Sequence, residues 1–175
     1  MGDMYETELR VYGKRQDLDK FKSSIKSTNE DHVIDFNKII PMPEDLSKWD
    51  EGERGSGKYH WTLKHWGAMY GSFGSMLVDE GDHLYYLITT VCDPPFPIYD
   101  TLISMYPTLD FHIIGVEGQA YKTVDILSKQ GNITEYIRWT YTSVWCLNNE
   151  CIDHYLKTNY VNGKLQVVNG PPVLY

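Results

Sequence analysis

Polar and apolar residues alternate from Glu8 to Tyr12 (ELRVY), the period of a half-buried strand, and Gly13 closes the run. From Gln16 to Ser27 the period lengthens. Leu18, Phe21 and Ile25 fall on one side with lysines opposite, which predicts an amphipathic helix, and Asp17 and Asp19 complement its N-terminal dipole. His32–Ile40 is expected to be a short extended run, stopped by Pro41-Met42-Pro43 and followed by a helical turn over Glu44–Lys48. Residues 50–57 (DEGERGSG) contain no hydrophobe and read as loop.

From Tyr59 a helical pattern resumes. Tyr59, Leu63, Trp66 and Tyr70 share one face, His60 and Lys64 another, with Trp61 and His65 between them. Gly67, Gly71 and Gly74 argue against much helix past Trp66. Ser75–Val78 and Leu84–Val91, joined through Asp79–Asp82, predict a hairpin. After Pro94-Pro95 a second amphipathic helix covers Pro97–Met105, with Ile98, Leu102 and Met105 on one side. Asp110–Val116 is an apolar strand, and Ala120–Leu127 with Ile133–Val144 forms another hairpin, turned at Gln130-Gly131-Asn132. The tail offers a short helix near Glu150–Leu156 and a last hairpin turned at Asn162-Gly163.

Strand, helix, insertion, two strands, helix and strand is the split β-α-β order of an α+β, ferredoxin-like antiparallel sheet with helices on one face. The expected domain spans residues 1–144, with an insertion at 33–74. Residues 145–175 are expected as a small hairpin extension packed on the same domain.

The bulk composition fits such a domain. The chain has 175 residues, 42% hydrophobic and 14% aromatic, enough for one real core. Its net charge of −8 opposes non-specific contact with nucleic-acid backbone, which needs Lys and Arg. Three cysteines and no apolar run of signal or membrane-span length point to a reduced, cytoplasmic protein with no membrane partner.

Against that acidity, Lys58–Tyr70 stands out. It gathers Lys58, His60, Lys64 and His65 among Tyr59, Trp61, Trp66 and Tyr70 without one carboxylate, and such a local inversion of charge suits a contact surface. The expected binding residues are therefore Lys58, His60, Trp61, Lys64, His65 and Tyr70. The same histidines suggest an alternative, metal-independent RNA cleavage, with two of His60, His65 and His112 as acid and base and Lys64 as the cation. On one helix, however, His60 and His65 point about 140° apart, so they converge only if the helix ends between them. Cys92, Cys146, Cys151 and His154 have the residue types of a zinc site but loose spacing, and idle thiols are the expectation. Asp50, Glu51 and Glu53, like Asp79, Glu80 and Asp82, lack the order of a calcium loop. No cofactor, metal or nucleotide fingerprint is expected.

Three stretches carry a resemblance: VIDFNKIIPMPEDL, HWGAMYGS and TVCDPPFPIYDTLISMYPTLDF. Across roughly residues 8–117 they resemble the YubB-type ferredoxin-like family, small proteins carried mainly by phages and plasmids. Matching positions are Asp35–Glu44, His65–Tyr70, Pro94–Leu102 and Tyr106–Phe111. Ala68, Met69 and Tyr70 depart from the Thr, Lys and Trp usual in the family, and Cys92 from an aromatic. The family has no settled biochemical activity, so the resemblance implies fold and habitat. With the acidity and the lack of catalytic text, it leads to the expectation of a binding protein that inhibits a host nucleic-acid-guided defence complex, as an anti-CRISPR protein does. Its partner would be a host protein or ribonucleoprotein, with RNA as a possible direct contact. A third reading is a non-catalytic structural or housekeeping module of a phage.

Overall fold

A computed structural model describes residues 4–29, 32–47, 57–91, 93–117, 122–145, 151–161 and 164–169. The elements run β1 (Met4–Tyr12), α1 (Arg15–Ile25), α2 (Phe36–Ile39), α3 (Glu44–Ser47), α4 (Gly57–His65), β2 (Phe73–Asp79), β3 (His83–Val91), α5 (Phe96–Met105), β4 (Asp110–Glu117), β5 (Lys122–Lys129), β6 (Asn132–Trp145), β7 (Cys151–Val161) and β8 (Lys164–Asn169). It is an α+β fold on one antiparallel sheet, with strand order β2-β3-β1-β4-β5-β6-β7-β8.

The central strand shows how residue pattern becomes fold. Along β1, Tyr5, Thr7, Leu9 and Val11 are buried while their neighbours are not, so one face is core and the other open. Register carries this division across the sheet: Leu9 lies opposite Tyr86 of β3 and Ile113 of β4, and Ile113 opposite Ile126 of β5. Leu18, Phe21 and Ile25 of α1 and Ile98, Leu102 and Ile103 of α5 join these residues in one core cluster. Phe21 is its hub, edge-on to Tyr106 at 4.9 Å, Phe111 at 5.8 Å and Tyr86 at 6.0 Å. Each fully buried side chain of this size contributes about 1.5–3 kcal/mol. Gly115 on β4 lets the Tyr5 ring lie against the backbone: an added Cβ would meet Tyr5 Cε1 at 2.5 Å.

Because β3 pairs antiparallel with both β2 and β1, β1 and β2 run the same way with β3 between them. In the same manner β3 and β4 flank β1. The connection through α1–α4 and the one through α5 therefore each return to a strand two places away.

Two expectations need correction. Residues 36–39 are a helical turn, α2, and not part of an extended run. The Asp35 carboxylate accepts the Asn37 N–H at 2.9 Å and starts that turn, a capping signal that outweighs the local apolar run. The region expected as a helix near Glu150–Leu156 is strand β7, paired with β6 from Ile137↔Asn159 to Trp145↔Cys151. Its Ile, Tyr, Thr and Val content favours strand, and the edge of β6 supplies the ladder. β8 then pairs with β7, so residues 151–161 and 164–169 continue the same sheet at its edge. The loop at 50–57 and the Asn162-Gly163 turn lie outside the described residues, apart from Gly57, which opens α4. Among the described residues no helix is long and apolar enough to cross a membrane.

Candidate functional site

Helix α4 begins at Gly57, which packs on α3: a Cβ there would meet Leu46 Cδ2 at 3.2 Å. It ends at His65, where the Trp66 and Gly67 N–H groups both donate to Thr62 O, at 2.8 and 3.1 Å. Gly67 has φ +77°, the left-handed conformation of a helix C-terminus, and a Cβ would meet Pro97 Cδ at 2.9 Å and Pro94 O at 3.0 Å. The chain thus turns tightly under the paired prolines and enters β2.

The inward face of α4 differs from the expected one. Thr62 is the buried residue of the helix, followed by Trp66 just past its end, while Tyr59 and Leu63 are only half-buried. Thr62 can be buried because its Oγ1 donates to Met69 O at 2.8 Å and also lies 3.0 Å from Tyr59 O. Trp66 Nε1 donates to Ile40 O at 2.9 Å, and its ring meets Phe36 edge-on at 5.9 Å. Tyr70 lies beyond the helix and is 37% exposed.

The six expected binding residues separate into three groups. His60 and Lys64 are exposed and one turn apart on the same side of α4. Trp61 and His65 stack on each other at 4.6 Å, and Trp61 also packs on the core cluster. Lys58 and Tyr70 line a cleft of about 810 Å³ between the α2 segment and the start of β2.

The walls of that cleft are pinned from several sides. Asp35 N–H donates to Ile25 O at 2.8 Å, Ser72 Oγ to Ile34 O at 2.8 Å, Val33 N–H to Ser75 Oγ at 2.9 Å, and Met42 N–H to Asn37 Oδ1 at 2.6 Å. His32 and Asp35 line it as well. His32 Nδ1 is buried without a hydrogen-bond partner among the described residues. In the sequence Asp35 stands out only within the family-like stretch, and His32 only as the first residue of the expected extended run. The signal was faint: an isolated histidine close to an Asx-capped turn.

The three histidines offered for RNA cleavage are not brought together. α4 is continuous from His60 to His65, which keeps them about 140° apart. His60 lies against Tyr59 at 5.4 Å. His112 sits on β4 between Phe111 and Ile113 and so faces the open side of the sheet, where its Nε2 is 3.0 Å from Asp125 Oδ1. Of the zinc candidates, Cys92 and Cys146 lie outside the described residues, and Cys151 and His154 stand on β7. Among the described residues no three of His, Cys, Asp and Glu gather as metal ligands would.

No family profile, curated protein or solved structure matches the chain.

Proposed function

We propose that the chain is a ferredoxin-like binding protein of a mobile genetic element, acting in the host cytoplasm by docking on a protein or ribonucleoprotein of a nucleic-acid-guided defence complex. The order β2-β3-β1-β4, with each helical connection skipping one strand, supports the ferredoxin-like part of this reading. The DFN-to-PMPE text at Asp35–Glu44 supports membership of the YubB-type family.

The observation that carries the docking reading is the outer side of α4. His60 and Lys64 stand exposed one turn apart, within a stretch from Gly57 to Tyr70 that holds no carboxylate, on a protein of net charge −8. Such a patch can pair with an acidic or phosphate surface while the remaining acidic surface repels other contacts, which gives orientation more than affinity. The continuous helix between His60 and His65 favours docking over ribonuclease chemistry.

Target cleavage by reconstituted RNA-guided effector complexes, titrated with the purified protein, tests the proposal. Inhibition that saturates at a fixed stoichiometry is the expected result, with the guide RNA intact after incubation in EDTA. An absence of inhibition across the effectors, or guide cleavage that His65→Ala abolishes, overturns it.

A further inference from the structure

We propose that the cleft beside α4 is a binding site for a single unstacked nucleobase. This deepens the docking reading and rests on it only where the base belongs to an RNA strand. A cavity of about 810 Å³ is within the range of small-molecule sites and larger than one base needs, leaving room for an attached sugar. Its lining is mostly apolar and partly aromatic, with Trp66 fixed at the back by its bond to Ile40 O and Tyr70 exposed at the mouth. Planar rings are held by such surfaces through stacking, which works for every base because every base has a π-face.

The polar groups narrow the chemistry. Among the described residues one ammonium, Lys58, and one carboxylate, Asp35, line the cleft, and their charges offset each other. A polyphosphate would need several cations and would meet Asp35 with repulsion. A neutral heterocycle with both donors and acceptors on its edge matches this set. The Lys58 ammonium suits the acceptors of a base edge, and the Asp35 carboxylate, which already accepts the Asn37 N–H, keeps lone pairs for the edge N–H groups.

The base can come from a free nucleoside or from an unpaired position in RNA, and the experiment separates the two. Tryptophan fluorescence of the whole protein is titrated with adenosine, with uridine, with a single-stranded RNA hexamer and with inorganic phosphate. Saturable binding of a nucleoside or of the hexamer is expected, with Tyr70→Ala weakening it about tenfold. Nucleoside binding assigns the site to the free ligand, and binding of the hexamer alone assigns it to a base in a strand. Tyr70 is exposed, so its variant is expected to fold as wild type does, and a loss of binding then reports on the cleft. No saturation with any nucleoside or with the hexamer, saturation with phosphate only, or affinity unchanged by Tyr70→Ala overturns the proposal. Nucleoside binding by a protein that inhibits no effector leaves the cleft assigned and the docking reading lost. Inhibition without binding in the cleft is the reverse.

Discussion

Gly67 is where one residue's backbone has the widest consequence. Its φ of +77° lets α4 stop at His65 and the chain turn under Pro94 and Pro97, which places Tyr70 at the cleft and Thr62 against Met69 O. Gly67→Ala forces a side chain into the left-handed region and into contact with Pro97 Cδ at 2.9 Å. The strained conformation alone costs about 1–3 kcal/mol. Urea denaturation should show a midpoint lowered by that energy divided by the slope, with the slope unchanged, and an unchanged midpoint would mean that the turn is not fixed by this residue. Residue-level reading of the sequence reached this glycine as a helix stop. It did not reach the buried face of α4, because Thr62 is polar by type and becomes a core residue only through a carbonyl seven residues away. The same limit hides the cleft itself, whose walls come from segments distant in sequence.

Elements with a clean period were legible, and those decided by partners were not. Leu18, Phe21 and Ile25 mark α1 by their spacing, and the turn at Asp79–Asp82 between two apolar runs marks the hairpin of β2 and β3. β1 starts earlier than expected, at Met4, because its buried Thr7 reads as polar and breaks the visible pattern. Only the first half of β7, expected as a short helix near Glu150–Leu156, departs from the sequence reading, because that stretch lacks clear alternation and its pairing with β6 settles it. At this scale the link between α1 and β2 makes a test. Asp79 at the end of β2 accepts from Arg15 Nη1 at 2.6 Å and from Lys22 Nζ at 2.6 Å, and Arg15 also holds Asp19. Hydrogen bonds from Arg15 and then Lys22 hold the Asp79 carboxyl far below its usual range, so the folded state keeps it ionised where the unfolded chain takes up a proton. Its contribution is thus complete above the ordinary carboxylate pKa of 3.8 and is lost as pH falls below it. Asp79→Asn should lower the denaturation midpoint at pH 7 and at low salt, with the gap to wild type narrowing progressively as pH falls below 3.8 and in molar salt. A gap that stays constant with pH would show that the charge is not what ties α1 to β2.

For the whole molecule, the sheet has one face under α1 and α5 and one face open, where Glu8, Arg10 and Tyr85 meet, Arg10 lying over the Tyr85 ring at 5.7 Å. The docking reading uses neither face. It uses the helical insertion between α1 and β2, the part of the chain least constrained by the sheet and so the freest to carry a binding surface. That gives a direct comparison within one molecule: α4 against the open side of β1. The measurement is the dissociation constant of the protein for the RNA-guided effector that the inhibition assay identifies, for wild type, for the double variant His60→Glu, Lys64→Glu, and for Glu6→Lys, an exposed position on β1. The account predicts at least a tenfold loss of affinity for the α4 double variant and an unchanged constant for Glu6→Lys. Equal affinity of the double variant and wild type, or a loss confined to Glu6→Lys, would contradict it.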